Sequence, residues 1–254
     1  MERKDIILLF EELRRRLVII VVTVFIVAIV SFAFIDYVRN ILLMPANMAY
    51  DSLDHEGLDL QLIFLTPAEA LLANLRLSFI TSATVTLPII LYQLVALAMT
   101  VTGRTKRAAA LLTVIMYILF GLGISFAYFV VLPFALNFFI GFSGQDLVPN
   151  FSIARYVSFT ASFIFSFGLV FQMPVLFWFL GSLGILNTGF LRRNRKIALL
   201  IVIIFASIIT PPDIFSQILM AIPLMILYEL GIFMVYLAWR KKESPEDADL
   251  PESS

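Results

Sequence analysis

The side chains able to do chemistry in this sequence are few, and their types exclude most catalytic sites. The only histidine is His55, and there is no cysteine. A serine nucleophile needs a base such as histidine, and thiolate chemistry needs cysteine. The phosphate-binding pattern GxxxxGK[ST] and the zinc-binding pattern HExxH are both missing from the sequence. We therefore expect no enzyme activity, no cofactor and no metal site.

The composition places the chain in a membrane. Of its 254 residues, 61% are hydrophobic and only 14% are charged, and the mean hydropathy is +0.99. A soluble domain of this length carries far more charge, so the apolar excess indicates a lipid environment. The formal net charge is zero, so no basic excess points to nucleic acid as a partner.

Polar side chains inside the apolar runs are the candidates for function, because each is costly to place in lipid. Glu69 and Arg76 lie on one helix face where an apolar run begins. They form either a shared outer pocket or a pair of interfacial residues that reach water. Gln172 lies deep in a later run, where its amide bonds either another helix of this chain or a partner helix. Glu229 lies inside the last run, so we expect it to be protonated or paired, for example with a tyrosine or serine.

Six transmembrane helices are predicted, since about 20 apolar residues cross a bilayer core. They cover residues 17–35, 77–99, 108–132, 156–180, 197–210 and 214–236. Pro211 and Pro212 end the fifth helix because proline lacks a backbone N–H, and Asp213 then caps the sixth. The predicted fold class is an all-α integral membrane protein in which helices five and six are short and meet at a tight outer turn.

The positive charges orient these spans, because lysine and arginine concentrate on the cytoplasmic side. If the N-terminus is inside, every lysine and arginine except Arg39, Arg76 and Arg155 falls on the inner side. A five-span arrangement would instead place the basic WRKK segment at 239–242 outside. The charges therefore favour six spans with both termini cytoplasmic.

Three segments lie outside the spans. Residues 1–16 form an amphipathic inner helix, in which Glu11 and Glu12 each precede an arginine by four residues, the favourable order for an ion pair. The first outer loop, 36–70, is long enough for a structured cap. The tail, 240–254, is polar and expected to be disordered.

Several motifs resemble one membrane-protein family over almost the whole chain. They are EELRRRL at 11–17, TPAEALLANLRLS at 66–78, PIILYQ at 88–93, GISFAYFVVLP at 123–133, SFGLVFQMPV at 166–175 and ITPPDIFSQILMAIPLMILYE at 209–229. The last block is long and specific. On these motifs the chain is identified as a member of the TatC family, the multispanning receptor of the twin-arginine protein translocase.

The resemblance implies a function and partners. TatC proteins bind the twin-arginine signal peptides of folded cargo at the cytoplasmic face of the prokaryotic inner membrane. They assemble with single-span TatA- and TatB-type proteins, self-associate in larger complexes, and use the proton-motive force for transport. The resemblance also implies a cupped arrangement of helices, in which short helices five and six thin the bilayer locally.

The resemblance also assigns residues. Glu12, Arg14 and Arg16 match the N-terminal signal-recognition motif. Gln172 matches a position that the family usually fills with glutamate and that is implicated in partner-helix contact. The further matching positions are Pro45, Pro88, Tyr128, Asp213, Gln217 and Glu229.

The first inner loop departs from the family pattern. Leu97 stands where the family has a phenylalanine, and Lys106 stands where it has a glutamate that helps receive the arginine pair. A lysine repels guanidinium groups. The chain is then either a divergent paralogue without twin-arginine recognition or a receptor that uses Glu11 and Glu12 instead.

Two other functions fit parts of the pattern. A small-solute or proton-coupled transporter would use Glu69, Arg76 and Glu229, although the sequence shows no internal repeat of the kind common in such transporters. A structural membrane protein that has lost transport would fit the lysine at position 106.

Overall fold

The architecture was determined from a computed structural model. It describes residues 3–51, 62–63, 66–102, 106–142, 151–209 and 214–243. Within these ranges the chain forms ten α-helices, one π-helical turn and two strands of two residues each. The all-α prediction is therefore confirmed, apart from the two short strands.

The chain divides into two compact units, Met1–Phe165 and Ser166–Ser254. The first unit contains α1 (Arg3–Ala33), α2 (Ile35–Asp51), β1 (Leu62–Ile63), α3 (Pro67–Thr102), α4 (Lys106–Phe126), a π-helical turn (Ala127–Val131), α5 (Leu132–Phe142) and β2 (Phe151–Ser152). Helix α6 (Ile153–Val170) crosses the boundary between the units. The second unit contains α7 (Met173–Ser182), α8 (Thr188–Arg193), α9 (Arg195–Ile209) and α10 (Ile214–Glu243).

Five stretches of the described residues are long and apolar enough to cross a membrane. They are Phe10–Ala33, Ala68–Ala98, Ala109–Phe138, Ile153–Ser182 and Met220–Arg240. Helix α9 has 15 residues, which is short against the roughly 20 that a crossing needs. Helix α10 has 30 residues, so the prediction that the sixth helix is short is wrong. The apolar run on either side of Glu229 is one continuous helix.

Two elements differ from the sequence prediction near the outer segments. Residues 36–51, expected to belong to a long outer loop with a structured cap, lie in the separate helix α2, which begins at Ile35 after α1 ends at Ala33. The helix predicted for residues 108–132, which would end just before Pro133, continues instead through a π-helical turn into α5. A π turn accommodates one extra residue per turn, which lets the chain pass a proline without ending the helix.

Helices α1 and α3 pack closely in the first unit because small side chains line both. Ala28 on α1 and Ser78 and Ser82 on α3 are buried. The Ser82 hydroxyl donates to the Val24 carbonyl at 2.5 Å, which links the two helices within the apolar region. Small residues and hydroxyl hydrogen bonds are the usual means of helix association in lipid, where the hydrophobic effect gives little drive.

Helices α7 and α10 form the corresponding close contact in the second unit. A Cβ atom built on Gly231 would lie 2.5 Å from Cδ2 of Phe177, and one on Gly181 would lie 3.1 Å from Cγ1 of Val235. The two glycines therefore allow the helices to approach. Tyr228, Ile232 and Val235 of α10 form the buried core of this unit together with Leu191.

Candidate functional site

The N-terminal helix is fixed to α3 by a hydrogen-bonded cluster around Arg16. Its guanidinium donates to Oε1 of Glu12 at 2.5 and 3.2 Å, and to Oε1 of Gln93 at 2.9 Å. A longer bond of 3.4 Å reaches the Gln93 carbonyl. The side chains of Arg16 and Glu12 are only 14% and 25% exposed, so water screens this pair less than an ordinary surface pair. The Glu12 carboxylate is thus already occupied by a guanidinium of its own chain.

Glu11, in contrast, is exposed. It makes no hydrogen bond or ion pair within the part of the chain whose side chains are described. An open groove of about 700 Å³ follows α1 from Phe10 to Val22, with Glu11 and Arg14 at its N-terminal end. The rest of the groove is apolar, lined for example by Val18 and Val21. A carboxylate followed by an apolar groove suits a segment in which a cation precedes a hydrophobic helix.

The two substituted loop positions lie at neighbouring helix ends. Leu97 is half-buried in the last turns of α3, and Lys106 begins α4. The Lys106 side chain lies outside the described residues, as do residues 103–105 between the two helices. The proposed repulsion between Lys106 and an incoming arginine therefore stays a prediction.

The outer polar residues of α3 each bond a serine. Glu69 accepts a hydrogen bond from the Ser152 hydroxyl on β2, and Arg76 donates to the Ser162 hydroxyl on α6 at 3.3 Å. These bonds tie the start of α3 to the segment around the paired strands, where Leu62 lies opposite Phe151. Both side chains thus have structural partners within the first unit.

A hydrogen bond from Tyr128 compensates for the backbone N–H that Pro45 lacks within α2. Within a helix, the Ile41 carbonyl would accept from the N–H of residue 45, which proline lacks. The Tyr128 hydroxyl donates to that carbonyl at 2.7 Å. The Tyr156 hydroxyl donates to the next carbonyl, that of Leu42, at 3.0 Å. Two tyrosines from other helices therefore satisfy carbonyls beside the proline of α2.

We expect Tyr128→Phe to lower the free energy of unfolding by about 1 kcal/mol, because it leaves the Ile41 carbonyl without its donor. In a Pro45→Ala background the new N–H can bond that carbonyl, so Tyr128→Phe should then cost close to nothing. Thermal unfolding of the four proteins of this double-mutant cycle measures the coupling. Additive effects would show that the tyrosine and the proline act independently.

Gln172 lies at the turn between α6 and α7 and is 8% exposed. Its Nε2 donates to the Gly168 carbonyl at 3.2 Å. Its buried Oε1 has no hydrogen-bond partner among the described residues. The structure thus gives the donor half of the amide an intrachain partner and leaves the acceptor half open.

Glu229 pairs with Arg195, the first residue of α9, at 2.7 Å. A tyrosine or serine was expected as the partner of Glu229, and the structure shows an arginine instead. The hydroxyl of neighbouring Tyr228 donates instead to the Leu191 carbonyl at 2.9 Å. Both charges of the pair are about half exposed. A compensating cation explains how one α-helix carries a glutamate within its apolar length.

Helices α9 and α10 are joined by Gln217, whose Nε2 donates to the Ile203 carbonyl at 2.9 Å. Beside this bond lies a groove of about 640 Å³ lined mainly by aliphatic side chains of the two helices, among them Leu199 and Ile222. Pro211, Pro212 and Asp213 lie outside the described residues. Pro88 lies inside α3, and the helix continues past it.

Sequence reasoning missed three side chains that form polar contacts between helices. Gln93 and Tyr156 are polar side chains in apolar runs, the same signal that identified Gln172, and both prove to bond other helices. Arg195 was used only as one of the positive charges that assign the cytoplasmic side, although it pairs with Glu229. No local pattern links residues this far apart in sequence.

Taken together, the apolar helices and their sparse interhelical polar bonds define a multispanning membrane protein. A model of the family Sec-independent protein translocase protein (TatC) matches residues 9–223. The chain belongs to this family.

Relatives in several bacteria support the assignment. The chain is 37% identical over 238 residues to the TatC protein of Carboxydothermus hydrogenoformans. That alignment covers 93% of this chain and 94% of the relative. It is 35% identical to TatC of Aquifex aeolicus, in an alignment that covers 93% of this chain and 97% of the relative. It is 32% identical over 251 residues to TatCd of Bacillus subtilis, with coverage of 98% and 99%. The chain is thus a multispanning component of a bacterial protein translocase.

The fold agrees with solved structures. A crystal structure described as the twin-arginine translocase receptor TatC superimposes with a TM-score of 0.82 at 35% identity, covering 91% of this chain and 99% of the other. A second crystal structure of this receptor, in the detergent DDM, gives a TM-score of 0.80 at 34% identity.

Proposed function

We propose that this chain is the receptor and scaffold subunit of a twin-arginine translocase. It binds the signal peptides of folded cargo at the cytoplasmic face of the inner membrane. It assembles with single-span TatA- and TatB-type partners and with further copies of itself, and the proton-motive force drives export. The family membership and the receptor structures that it resembles support this proposal.

The observation that carries the proposal is the exposed Glu11 at the end of the apolar groove along α1. A twin-arginine signal peptide presents two cations followed by an apolar segment. Glu11 supplies a free carboxylate for a guanidinium, and the aliphatic side chains beyond it suit the apolar segment. Glu12 has a second role, because its bonds to Arg16 hold the helix against Gln93 on α3.

Peptide binding tests the receptor role. The solubilised protein should bind a synthetic signal peptide with an Arg-Arg pair more tightly than the same peptide with Gln-Gln in its place. Equal affinity for the two peptides would contradict twin-arginine recognition and favour a divergent paralogue.

The proposed topology has six spans with both termini cytoplasmic. Five spans correspond to the long apolar stretches, and the short α9 supplies the other. A 15-residue helix is about 22 Å long, which is shorter than a bilayer core. It can therefore cross only where the bilayer is locally thinner or where polar residues surround its ends.

Cysteine labelling tests this topology. A cysteine at Ile214, where α10 begins, should react with an impermeant reagent from the outer side, and one at Glu243, where α10 ends, from the inner side. The expectation follows from the length of α10, which exceeds one crossing. Labelling of both positions from the same side would show that the six-span topology is wrong.

Gln172 is proposed to bond a partner helix through its open Oε1. Gln172→Leu should reduce co-purification of a single-span partner, since interhelical bonds of this kind contribute about 0.6–2 kcal/mol. Gln172→Glu keeps an acceptor at the same place and serves as the matched variant. Unchanged partner recovery in the leucine variant would assign Gln172 to the intrachain bond with Gly168 alone.

The structure supports the solute-transporter alternative less well. Glu69 and Arg76 bond Ser152 and Ser162, and Glu229 pairs with Arg195. Each of the three charged side chains of that hypothesis therefore has a local structural partner. Solute uptake into liposomes by the isolated chain would revive it.

A further inference from the structure

The segment from Ile185 to Lys196, which contains α8 and the first residues of α9, concentrates positive charge. Four of the five residues from Arg192 to Lys196 are cations, and all four are exposed. Arg195 is neutralised by Glu229 at 2.7 Å. Arg192, Arg193 and Lys196 make no ion pair or hydrogen bond with other described residues. Three positive charges therefore remain available on this segment.

Hydrogen bonds to α10 hold the segment in one conformation. The Trp239 indole N–H donates to the Leu186 carbonyl, and the Tyr228 hydroxyl donates to the Leu191 carbonyl, both at 2.9 Å. Within the segment, the Asn187 side chain accepts from the Gly189 N–H at 2.8 Å and so caps α8. The three cations are thus presented from a fixed backbone, which lowers the entropy lost when they bind a ligand.

Exposed apolar side chains accompany these cations. Ile185 is 67% exposed and Phe190 is 62% exposed, and both belong to the same short segment. An aromatic and an aliphatic side chain beside arginines are typical of a surface that lies at the boundary between headgroups and acyl chains. A soluble anion would use only the cations, whereas a lipid would use both features.

We propose that Arg192, Arg193 and Lys196 bind the phosphate of an anionic phospholipid, with Ile185 and Phe190 against its acyl chains. Arginine suits phosphate because its guanidinium offers several donors in a fixed plane. Bound lipid would fix this end of the second unit to the membrane surface beside the short helix α9. The proposal concerns lipid binding only, so it stands or falls independently of signal-peptide recognition.

Native mass spectrometry of the detergent-solubilised chain with phosphatidylglycerol and phosphatidylcholine tests the proposal. The wild type should bind phosphatidylglycerol in preference to phosphatidylcholine. Each cation near an anionic headgroup contributes about fivefold in affinity, so Arg192→Gln/Arg193→Gln should weaken phosphatidylglycerol binding by about 25-fold at low salt. Arg192→Lys/Arg193→Lys keeps the charges and should stay within about threefold of the wild type.

Two controls decide the assignment. Arg155→Gln removes an exposed cation of the first unit and should leave phosphatidylglycerol binding unchanged. Excess inorganic phosphate should displace little lipid, because it cannot contact Ile185 and Phe190. Equal binding of the two lipids, or full binding by the double glutamine variant, would overturn the proposal. Displacement of the lipid by millimolar phosphate would assign the site to free phosphate and overturn it as well.

Discussion

Lys106→Glu is expected to tighten the binding of an Arg-Arg signal peptide by about tenfold at low salt. The substitution replaces repulsion of the incoming guanidinium by attraction, and charges a few ångströms apart near a protein surface interact strongly before salt screens them. Lys106→Gln removes the repulsion alone and should fall between wild type and the glutamate variant. Peptide affinity measured at low and moderate ionic strength checks the order and its salt dependence.

The acidic residues of α1 provide the complementary measurement. Glu11→Gln should weaken peptide binding by up to about fivefold, the range of an exposed ion pair. Glu12→Gln should weaken it less, because the Glu12 carboxylate is already bonded to Arg16. Tight wild-type binding that Lys106→Glu leaves unchanged or worsens would contradict this account and place arginine recognition elsewhere on the chain.

Gly231→Ala is expected to destabilise the second unit by about 1–3 kcal/mol, the usual cost of overpacking. The added Cβ would lie 2.5 Å from the ring of Phe177, a distance at which one of the two helices or the ring must move. The ring is held by an edge-to-face contact with Tyr228, with centroids 5.8 Å apart. Thermal unfolding in detergent measures the loss.

Gly121→Ala is the matched control. Position 121 also lies within a helix, but an added Cβ there meets no atom within 4 Å. The substitution should be neutral or stabilising by up to about 1 kcal/mol, because alanine favours the helix. Phe177→Leu combined with Gly231→Ala should recover part of the lost stability. Equal effects of the two alanine substitutions would show that close approach of α7 and α10 is not what Gly231 provides.

The all-helical membrane character and the family were predictable because their signals are local. Apolar runs, prolines and charges are read from neighbouring residues, and the motif around Pro211 is contiguous in sequence. Helix ends and polar partners were predicted less well, because the same local sequence is compatible with more than one structure. The third span was predicted to end at residue 132, just before Pro133, whereas the chain passes this proline through a π-helical turn and continues as α5. Glu229 was expected inside the sixth helix with a tyrosine or serine as its partner, whereas its carboxylate pairs with Arg195 of α9.

The sequence by itself determined that this protein is an all-helical membrane component of the TatC family, because hydropathy and motif spacing need no knowledge of packing. Only the tertiary structure decided which polar groups are free to act. Arg16 occupies Glu12 and leaves Glu11 exposed, because α1 packs on the helix that carries Gln93. The Tyr128 hydroxyl donates to the Ile41 carbonyl, which has no helical donor because residue 45 is proline. This bond forms because two helices distant in sequence meet there. Such pairings depend on side chains brought together by packing, and the order of residues along the chain does not specify them.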